Sequence, residues 1–491
     1  MSNIISYIIM ILYSIAVGVL CIYAVHRYYL IYLYWWFYKK KKKKEMLKWP
    51  EGKPLPLVTI QLPIYNEMFV VERLIDCICN IAYPKELMEI QVLDDSTDKT
   101  SEIASAKVNE WKTRNFDIKY IHRDNREGFK AGALANGLKY SSGDYILIFD
   151  ADFVPPPDIL YGMLPYLIDD KIGMVQARWG HINSDYSLLT KLQAMFLDAH
   201  FMIEHTARNY SGKFFNFNGT AGIWRKQAII DAGGWQYDTL TEDLDLSYRA
   251  QLKGWKFIFL PELVCSAELP VGINAFKTQQ RRWAKGSIQT GKKILPKIWK
   301  SRLPFLVKFE ATIHLFANIG YAFMTVLAFL FPLSLFARNN LNLRDLLFGE
   351  IVVFMLATVP ILTYFAYSQK EIYGSDKMKL MYLPSLIAVG IGISLNNAFA
   401  VYEAIVNKKS TFMRTAKYKI EKKMDKWDNK IYKTPVDILP FIEILAAIYL
   451  CITFIYALKI NMWGSIPFVL LFMYGYSYVG TLSIVHAFKR N

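Results

Sequence analysis

The sequence predicts an α/β domain set between membrane-spanning helices, and three observations carry that prediction. Hydrophobic residues make up 53% of the 491 and aromatic residues 15%, above the roughly 45–50% apolar content of a soluble domain. The apolar residues gather in long runs towards both ends of the chain. Between Pro54 and Ser301 no run is long enough to span a bilayer, and strand-like segments alternate with helical ones. Such alternation folds as a mainly parallel sheet flanked by helices.

The first element is the apolar run Ile4 to Val25, long enough to cross a hydrocarbon core of about 30 Å. A signal peptide would carry basic residues before it and a small-residue cleavage site behind it, and this run has neither. The aromatic stretch Tyr28 to Tyr38 and six lysines, Lys39 to Lys44, follow it. That order is an interfacial belt and a positive-inside anchor. Residues 1–38 are therefore expected to form the first span and its belt, and 39–53 a basic cytoplasmic linker. Residues 54–301 then form a cytoplasmic domain. Within it Val58–Leu62, Ile90–Leu93 and Tyr145–Phe149 read as buried strands, and Glu72–Ile81 and Lys130–Tyr140 as helices.

Apolar segments resume in 302–491. Glu310–Phe336, Phe348–Tyr367, Ile438–Leu458 and Trp463–Ala487 are expected spans. Met378–Val406 is apolar but interrupted by Gly390, Gly392 and the pair Asn396–Asn397. A full crossing there would place the lysine-rich stretch 407–433 outside, against the charge rule. An interfacial or re-entrant element over 378–406 is the expectation, giving five spans, with six as the alternative, and a cytoplasmic end at Lys489–Arg490. Glu310, His314, Glu350 and Glu443 lie in or beside these segments, where ionisable groups are functional candidates.

The net charge of +16 suits nucleic acid or a membrane surface. The basic runs flank apolar segments, which favours the membrane and excludes nucleic acid as the partner. Five cysteines show neither a disulfide framework nor a zinc spacing, and read as free thiols in a reducing compartment.

Five motifs carry the chemistry. Pro63-Ile64-Tyr65-Asn66-Glu67 follows a strand, at the carboxyl edge where α/β folds bind ligands; a turn with a helix-capping Asn would look the same. Asp94-Asp95-Ser96-Thr97-Asp98 ends the next strand. Adjacent carboxylates repel and need partners, which the donors of a nucleoside would supply; a helix N-cap is the equal alternative. Asp150-Ala151-Asp152 ends a hydrophobic strand and can aim two hard oxygen ligands at one cation, Mg2+ or Mn2+. Thr241-Glu242-Asp243 reads as an N-cap threonine opening a helix, with its carboxylates placed for general-base work. The helix dipole would tend to lower their basicity. Gln279-Gln280-Arg281-Arg282-Trp283 offers a guanidinium fork for phosphate and a flat ring for a sugar. Its neighbours Lys285, Lys292 and Lys293 read equally well as contacts to anionic lipid headgroups.

In this order the motifs resemble those of the processive family 2 glycosyltransferases of the cellulose-synthase superfamily. Phe217-Asn218-Gly219-Thr220-Ala221-Gly222 and Gly233-Gly234-Trp235 are similar to the cellulose-synthase-like A and C enzymes, which make β-mannan and β-glucan backbones. Phe412-Met413-Arg414-Thr415-Ala416-Lys417 is similar to the gating loop that covers the bound nucleotide. The resemblance implies a GT-A type, Rossmann-like domain over 54–301 inserted between transmembrane helices. Pro63, Tyr65, Glu67, Asp94, Asp95, Lys130, Asp150, Gln279 and Arg282 would hold the nucleotide donor, and Asp150 and Asp152 the Mg2+ or Mn2+. Asp243, with Glu242 beside it, would be catalytic, and Trp283 would bind the acceptor. The implied reaction is inverting transfer of glucose or mannose from a UDP- or GDP-sugar to a growing β-linked, β-1,4, glycan, coupled to translocation. Single-sugar transfer to a lipid is the alternative, and a scaffold with a degenerate domain is the non-enzymatic one. The expected location is a bacterial inner membrane; oligomeric state is left open.

Overall fold

The computed structural model describes all residues except 1–2, 41–45, 344–346, 375–379, 409–413, 428–431, 433–437 and 489–491, and the side chains of 347, 348, 350 and 351. Lys41 to Lys44, Phe412, Met413, Lys489 and Arg490 and the Glu350 side chain therefore lie outside the described parts. The chain begins with α1 (Asn3–Tyr34), ended by a π-helical turn. The sheet region follows: β1 (Val58–Ile64), α2 (Val71–Cys79), β2 (Met88–Asp94), α3 (Thr100–Lys112), β3 (Asp117–His122), α4 (Phe129–Lys139), β4 (Tyr145–Ile148) and β5 (Phe153–Val154). Then come α5 (Ile159–Met163), β6 (Ile172–His181), α6 (Leu188–Ala199), α7 (Thr206–Tyr210), β7 (Gly222–Arg225), α8 (Lys226–Asp231), α9 (Glu242–Leu252) and β8 (Lys256–Ala267). The described elements that follow are helices: α10 (Ile273–Lys300), α11 (Phe305–Leu315), α12 (Ile319–Asn340), α13 (Leu347–Tyr373), α14 (Leu383–Gly392), α15 (Ser394–Ile405), α16 (Leu439–Lys459) and α17 (Ile466–Phe488).

The eight strands lie in the order β3-β2-β1-β4-β7-β6-β8-β5. Pairings β1–β2, β1–β4, β2–β3 and β6–β8 are parallel; β4–β7, β6–β7 and β5–β8 are antiparallel. The sheet is thus mixed, where strand–helix alternation predicted mainly parallel pairing. β7, reached from β6 through α6 and α7, runs antiparallel to both of its neighbours, β4 and β6. β1 and β2 are buried along their whole length, as expected of strands with both faces covered. Their polar residues pair across the strands: Thr59 Oγ1 donates to Glu89 Oε2 at 2.6 Å and Gln61 Nε2 to Gln91 Oε1 at 3.0 Å.

Among the described residues, five helices are long and apolar enough to cross a membrane: Asn3–Lys39, Ile319–Asn340, Val352–Tyr373, Leu439–Lys459 and Trp463–Phe488. The second of these corrects the expected span Glu310–Phe336. Glu310 lies on the separate helix α11, completely buried against the sheet region, where it accepts from Arg208 Nε at 3.0 Å and meets His26 Nε2 at 2.8 Å. Helices α14 and α15 form a pair bent by 42° at their junction.

Candidate active site

The carboxyl ends of β1, β2 and β4 open onto one solvent-open cleft, at the edge of the sheet where α/β folds bind ligands. Register explains the convergence. Ile64 pairs with Asp94 across β1 and β2, and Gln61 with Ile148 across β1 and β4. The loops beginning at Tyr65, Asp95 and Asp150 therefore leave the sheet side by side. The cleft is lined by Pro63, Tyr65, Glu67, Asp95, Lys130, Asp150, Asp152, Glu242, Asp243, Gln279, Arg282 and Trp283.

Asp94 is the exception among the residues singled out from sequence. It is fully buried beneath the cleft, and its carboxylate accepts from Ser96 N (3.0 Å), Ser101 Oγ (2.8 Å) and Tyr120 OH (2.7 Å) and meets His122 Nδ1 (3.0 Å). Burial pushes its acidity down, but these contacts outweigh it and hold the carboxyl below its ordinary value. Ser96, Ser101, Tyr120 and His122 thus supply the partners its carboxylate needs. Asp95 is held in turn by the Arg123 fork at 2.7 and 2.5 Å. Asn66 does not cap α2. It adopts a left-handed backbone (φ 52°), and its side-chain oxygen accepts from Thr97 N at 2.8 Å, tying the first strand-end loop to the second.

Lys130 Nζ lies at the centre, donating to Asp150 Oδ1 at 2.5 Å and Gly219 O at 2.9 Å. Burial lowers its pKa, but Asp150, Glu242 and Asp243 more than offset this and raise it. Burial also acts on Arg282, opposed by Glu242, Asp150, Asp243 and Asp152. Carboxylates far apart in sequence therefore share one field.

Asp243 stands in the first turn of α9, its Oδ1 accepting from Leu244 N at 2.7 Å. Its pKa is pushed up to about 7, first by burial and then by Glu242, against Lys130, the Leu244 amide and Arg282. Thr241 precedes the helix but does not cap it: its hydroxyl lies 3.2 Å from that of Thr290 on α10. Glu67 is pushed up to about 8 by burial, which outweighs Arg414, with Asp152 and Asp150 adding to the rise.

Asp150 and Asp152 each direct a carboxylate into the cleft, and each is met by an ammonium. Lys417 Nζ donates to Asp152 Oδ2 at 2.6 Å, as Lys130 does to Asp150. Among the described residues no three His, Cys, Asp or Glu side chains are grouped to hold a metal. Two carboxylates from one turn still fit a cation such as Mg2+ or Mn2+, which takes few protein ligands when phosphate oxygens complete its shell.

Beyond the sequence-derived set, the cleft includes Arg126, whose guanidinium lies 3.3 Å over the Tyr65 ring, and His181, whose Nε2 meets Asp198 Oδ1 at 3.1 Å. It also includes Glu268, just past β8, whose carboxylate accepts from Tyr418 N (3.0 Å) and Lys419 N (2.9 Å). Through these bonds residues 414–420 lie across the cleft as a strap, and Arg414, Thr415 and Lys417 line it. Glu268 had a signal available, a carboxylate ending an apolar strand like Asp94 and Asp150. Lys285, Lys292 and Lys293 are not free for lipid headgroups: they bond Glu403, the end of α15, and Asp238 with Asp245.

A GT-A type sheet with acidic side chains gathered at its carboxyl edge defines a sugar-nucleotide transferase class. The family model "Glycosyl transferase family 2" matches residues 59–230, and "Glycosyl transferase family group 2" matches 145–369. Between them these models cover residues 59–369, so the chain carries a family 2 glycosyltransferase domain. It is 42% identical over 281 residues to glucomannan 4-beta-mannosyltransferase 9 of Arabidopsis thaliana, covering 56% of this chain and 53% of that one. It is 44% identical over 248 residues to a probable glucomannan 4-beta-mannosyltransferase 9 of Oryza sativa subsp. japonica, covering 50% and 47%. The matched part is thus about half the length of these curated relatives. Both are plant proteins, so the expected bacterial inner membrane gains no support. In fold it is similar to the mannosyltransferase PcManGT of Pyrobaculum calidifontis, solved with GDP-Man and Mn2+, at a TM-score of 0.52 and 19% identity, covering 81% of this chain and 100% of that one.

Proposed function

We propose that this chain is a membrane-embedded β-mannan synthase, moving mannose from GDP-mannose to the end of a growing β-1,4-linked glycan on the cytoplasmic face. The observation that carries the reading is the meeting of Asp243, Asp150 and Arg282, from three separate motifs, with Lys130 in one cleft. The relatives' mannosyltransferase names and the GDP-Man in the fold neighbour support mannose over glucose.

In this mechanism Asp243 takes the proton from the acceptor hydroxyl. A base with a pKa near 7 is matched to neutral conditions. Glu242 beside it contributes to that pKa through its charge. Lys130, Gln279 and Arg282 hold the donor diphosphate, and Lys130 also fixes Asp150. Asp150 and Asp152 would hold Mg2+ or Mn2+, which supplies charge neutralisation for the departing diphosphate. Pro63, Tyr65, Glu67 and Asp95 border the nucleoside, and the Trp283 ring receives the acceptor sugar. Displacement by the activated hydroxyl inverts an α-donor to a β-product.

Asp243→Asn in purified protein is expected to abolish polymer formation from GDP-mannose while GDP binding persists. Polymer formed at an undiminished rate would remove Asp243 as the base. A single labelled glycolipid in place of β-mannanase-sensitive polymer would replace the glycan acceptor with a lipid.

A further inference from the structure

Helix α10 has two working faces. Gln279, Arg282 and Trp283 line the cleft, while Lys277, Arg281, Lys285 and Lys292 recur at helical spacing on another side. That second side runs along α15. Asn396 Nδ2 donates to Lys277 O at 3.0 Å. Glu403 takes Arg281 Nη2 on one oxygen at 2.9 Å and Lys285 Nζ on the other at 3.2 Å. Lys292 Nζ reaches the last carbonyls of α15, Ala404 O at 3.1 Å and Ile405 O at 2.8 Å, and Asn407 Oδ1 at 2.7 Å. An ammonium there also suits the negative end of the helix dipole.

The ladder is costly for a merely cohesive contact. The Lys285 side chain is 2% exposed and that of Glu403 11%, and burying ions gains little stability over apolar packing of the same shape. What buried ion pairs can supply is a fixed register. Here register has a direct target. Only nine positions separate Ile405, the end of α15, from Arg414, where the chain enters the cleft. Three residues later Lys417 bonds Asp152 Oδ2 and Glu268 O, both at 2.6 Å.

The geometry points to Glu403 as a positioning residue that locks α15 to α10, so that the strap and the Gln279–Trp283 motif close on the donor as one unit. This rests on the donor-binding role proposed for the cleft. A buried carboxylate 14 residues before Lys417 in sequence thereby sets how tightly Lys417 holds its side of the site.

The test is steady-state kinetics with GDP-mannose, together with equilibrium binding of GDP, on the full chain in lipid nanodiscs. Glu403→Gln is expected to raise the donor KM and GDP Kd by about tenfold, with kcat at saturation within about twofold. Glu403→Asp restores most of the affinity. Lys417→Ala alone also raises KM, and adding Glu403→Gln to it changes little more. Lys292→Met, at the exposed end of the ladder, shifts KM in the same direction if Glu403→Gln does not fold. Independent, multiplicative effects in the double variant would overturn the inference, as would a lowered melting temperature with KM unchanged. An unchanged KM in Lys417→Ala would instead reject the donor-covering role of the strap, and the inference with it.

Discussion

Two influences oppose each other on the Asp243 carboxylate. The N-terminus of α9 and the cations Lys130 and Arg282 favour the charged form; burial and Glu242 disfavour it, and they win, with a pKa of about 7. The sequence allowed only the dipole to be anticipated, because burial and the Lys130 and Arg282 contacts are set by tertiary structure. A base must be unprotonated to act. The raised pKa keeps the proton on up to about 7, so kcat/KM is expected to fall about tenfold per pH unit below that value. An acid limb centred near pH 4, as for an ordinary carboxylate, would show that the free enzyme does not share this environment. Gly219 makes a second prediction at this scale. Its φ is +83°, and an added Cβ would lie 3.1 Å from Asp243 Oδ2 and 3.3 Å from Lys130 Nζ. Gly219→Ala should lower kcat by up to about 100-fold through displacement of the base, measured as turnover at saturating donor. The residue scale is also where sequence reading met its limit. A strand ending in two aspartates marked the correct edge of the sheet, but which carboxylate faces outward is decided by the loop backbone and by Tyr120 and His122, neighbours from β3.

Elements set the distances between these groups. Helix α10 touches the start of α9 at Gly286, where a Cβ would lie 2.5 Å from Thr241 Cγ2 and 2.7 Å from its hydroxyl. Threonine is branched and packed there, so it cannot swing aside. Gly286→Ala is expected to cost about 1–3 kcal/mol of stability and to reduce kcat, because it separates the Asp243 turn from the helix carrying Arg282. Thermal unfolding and turnover of the same preparation check both. A second glycine contact joins α14 to α17: a Cβ on Gly392 would lie 2.4 Å from Gly475 O. Small residues allow such close helix approach. Gly392 looked like an interruption in the sequence and is a crossing point in the fold. Strand and helix positions were legible because period and burial are local properties. β7 was not, because its antiparallel place between β4 and β6 depends on residues distant in sequence.

At the scale of the whole molecule the question is whether the bent pair α14–α15 crosses the membrane. Helix α13 ends on the cleft side: Gln369 Nε2 and Tyr373 OH donate to Asp198 on α6 at 2.9 and 3.1 Å, and Lys39 meets Glu371 at 2.6 Å. Helix α15 also ends there, through Glu403 and Arg281. At the opposite ends of the spans Asn340 Nδ2 donates to Asn3 Oδ1 at 3.2 Å, which groups the start of α1 with the end of α12 on the far side. A segment that leaves from and returns to one face has no net crossing, and the lysine-rich stretch after it then stays on the positive-inside face. We propose on this ground an interfacial or re-entrant pair and five spans, with six as the alternative. In sealed vesicles with the cleft outward, Lys408→Cys should react with an impermeant maleimide as readily as Lys300→Cys, while Asn461→Cys between α16 and α17 should react only after permeabilisation. Protection of position 408 in step with 461 would make the bent pair a sixth span. It would also place the end of α15 on the face opposite the cleft, against its contact through Glu403 with Arg281 on α10.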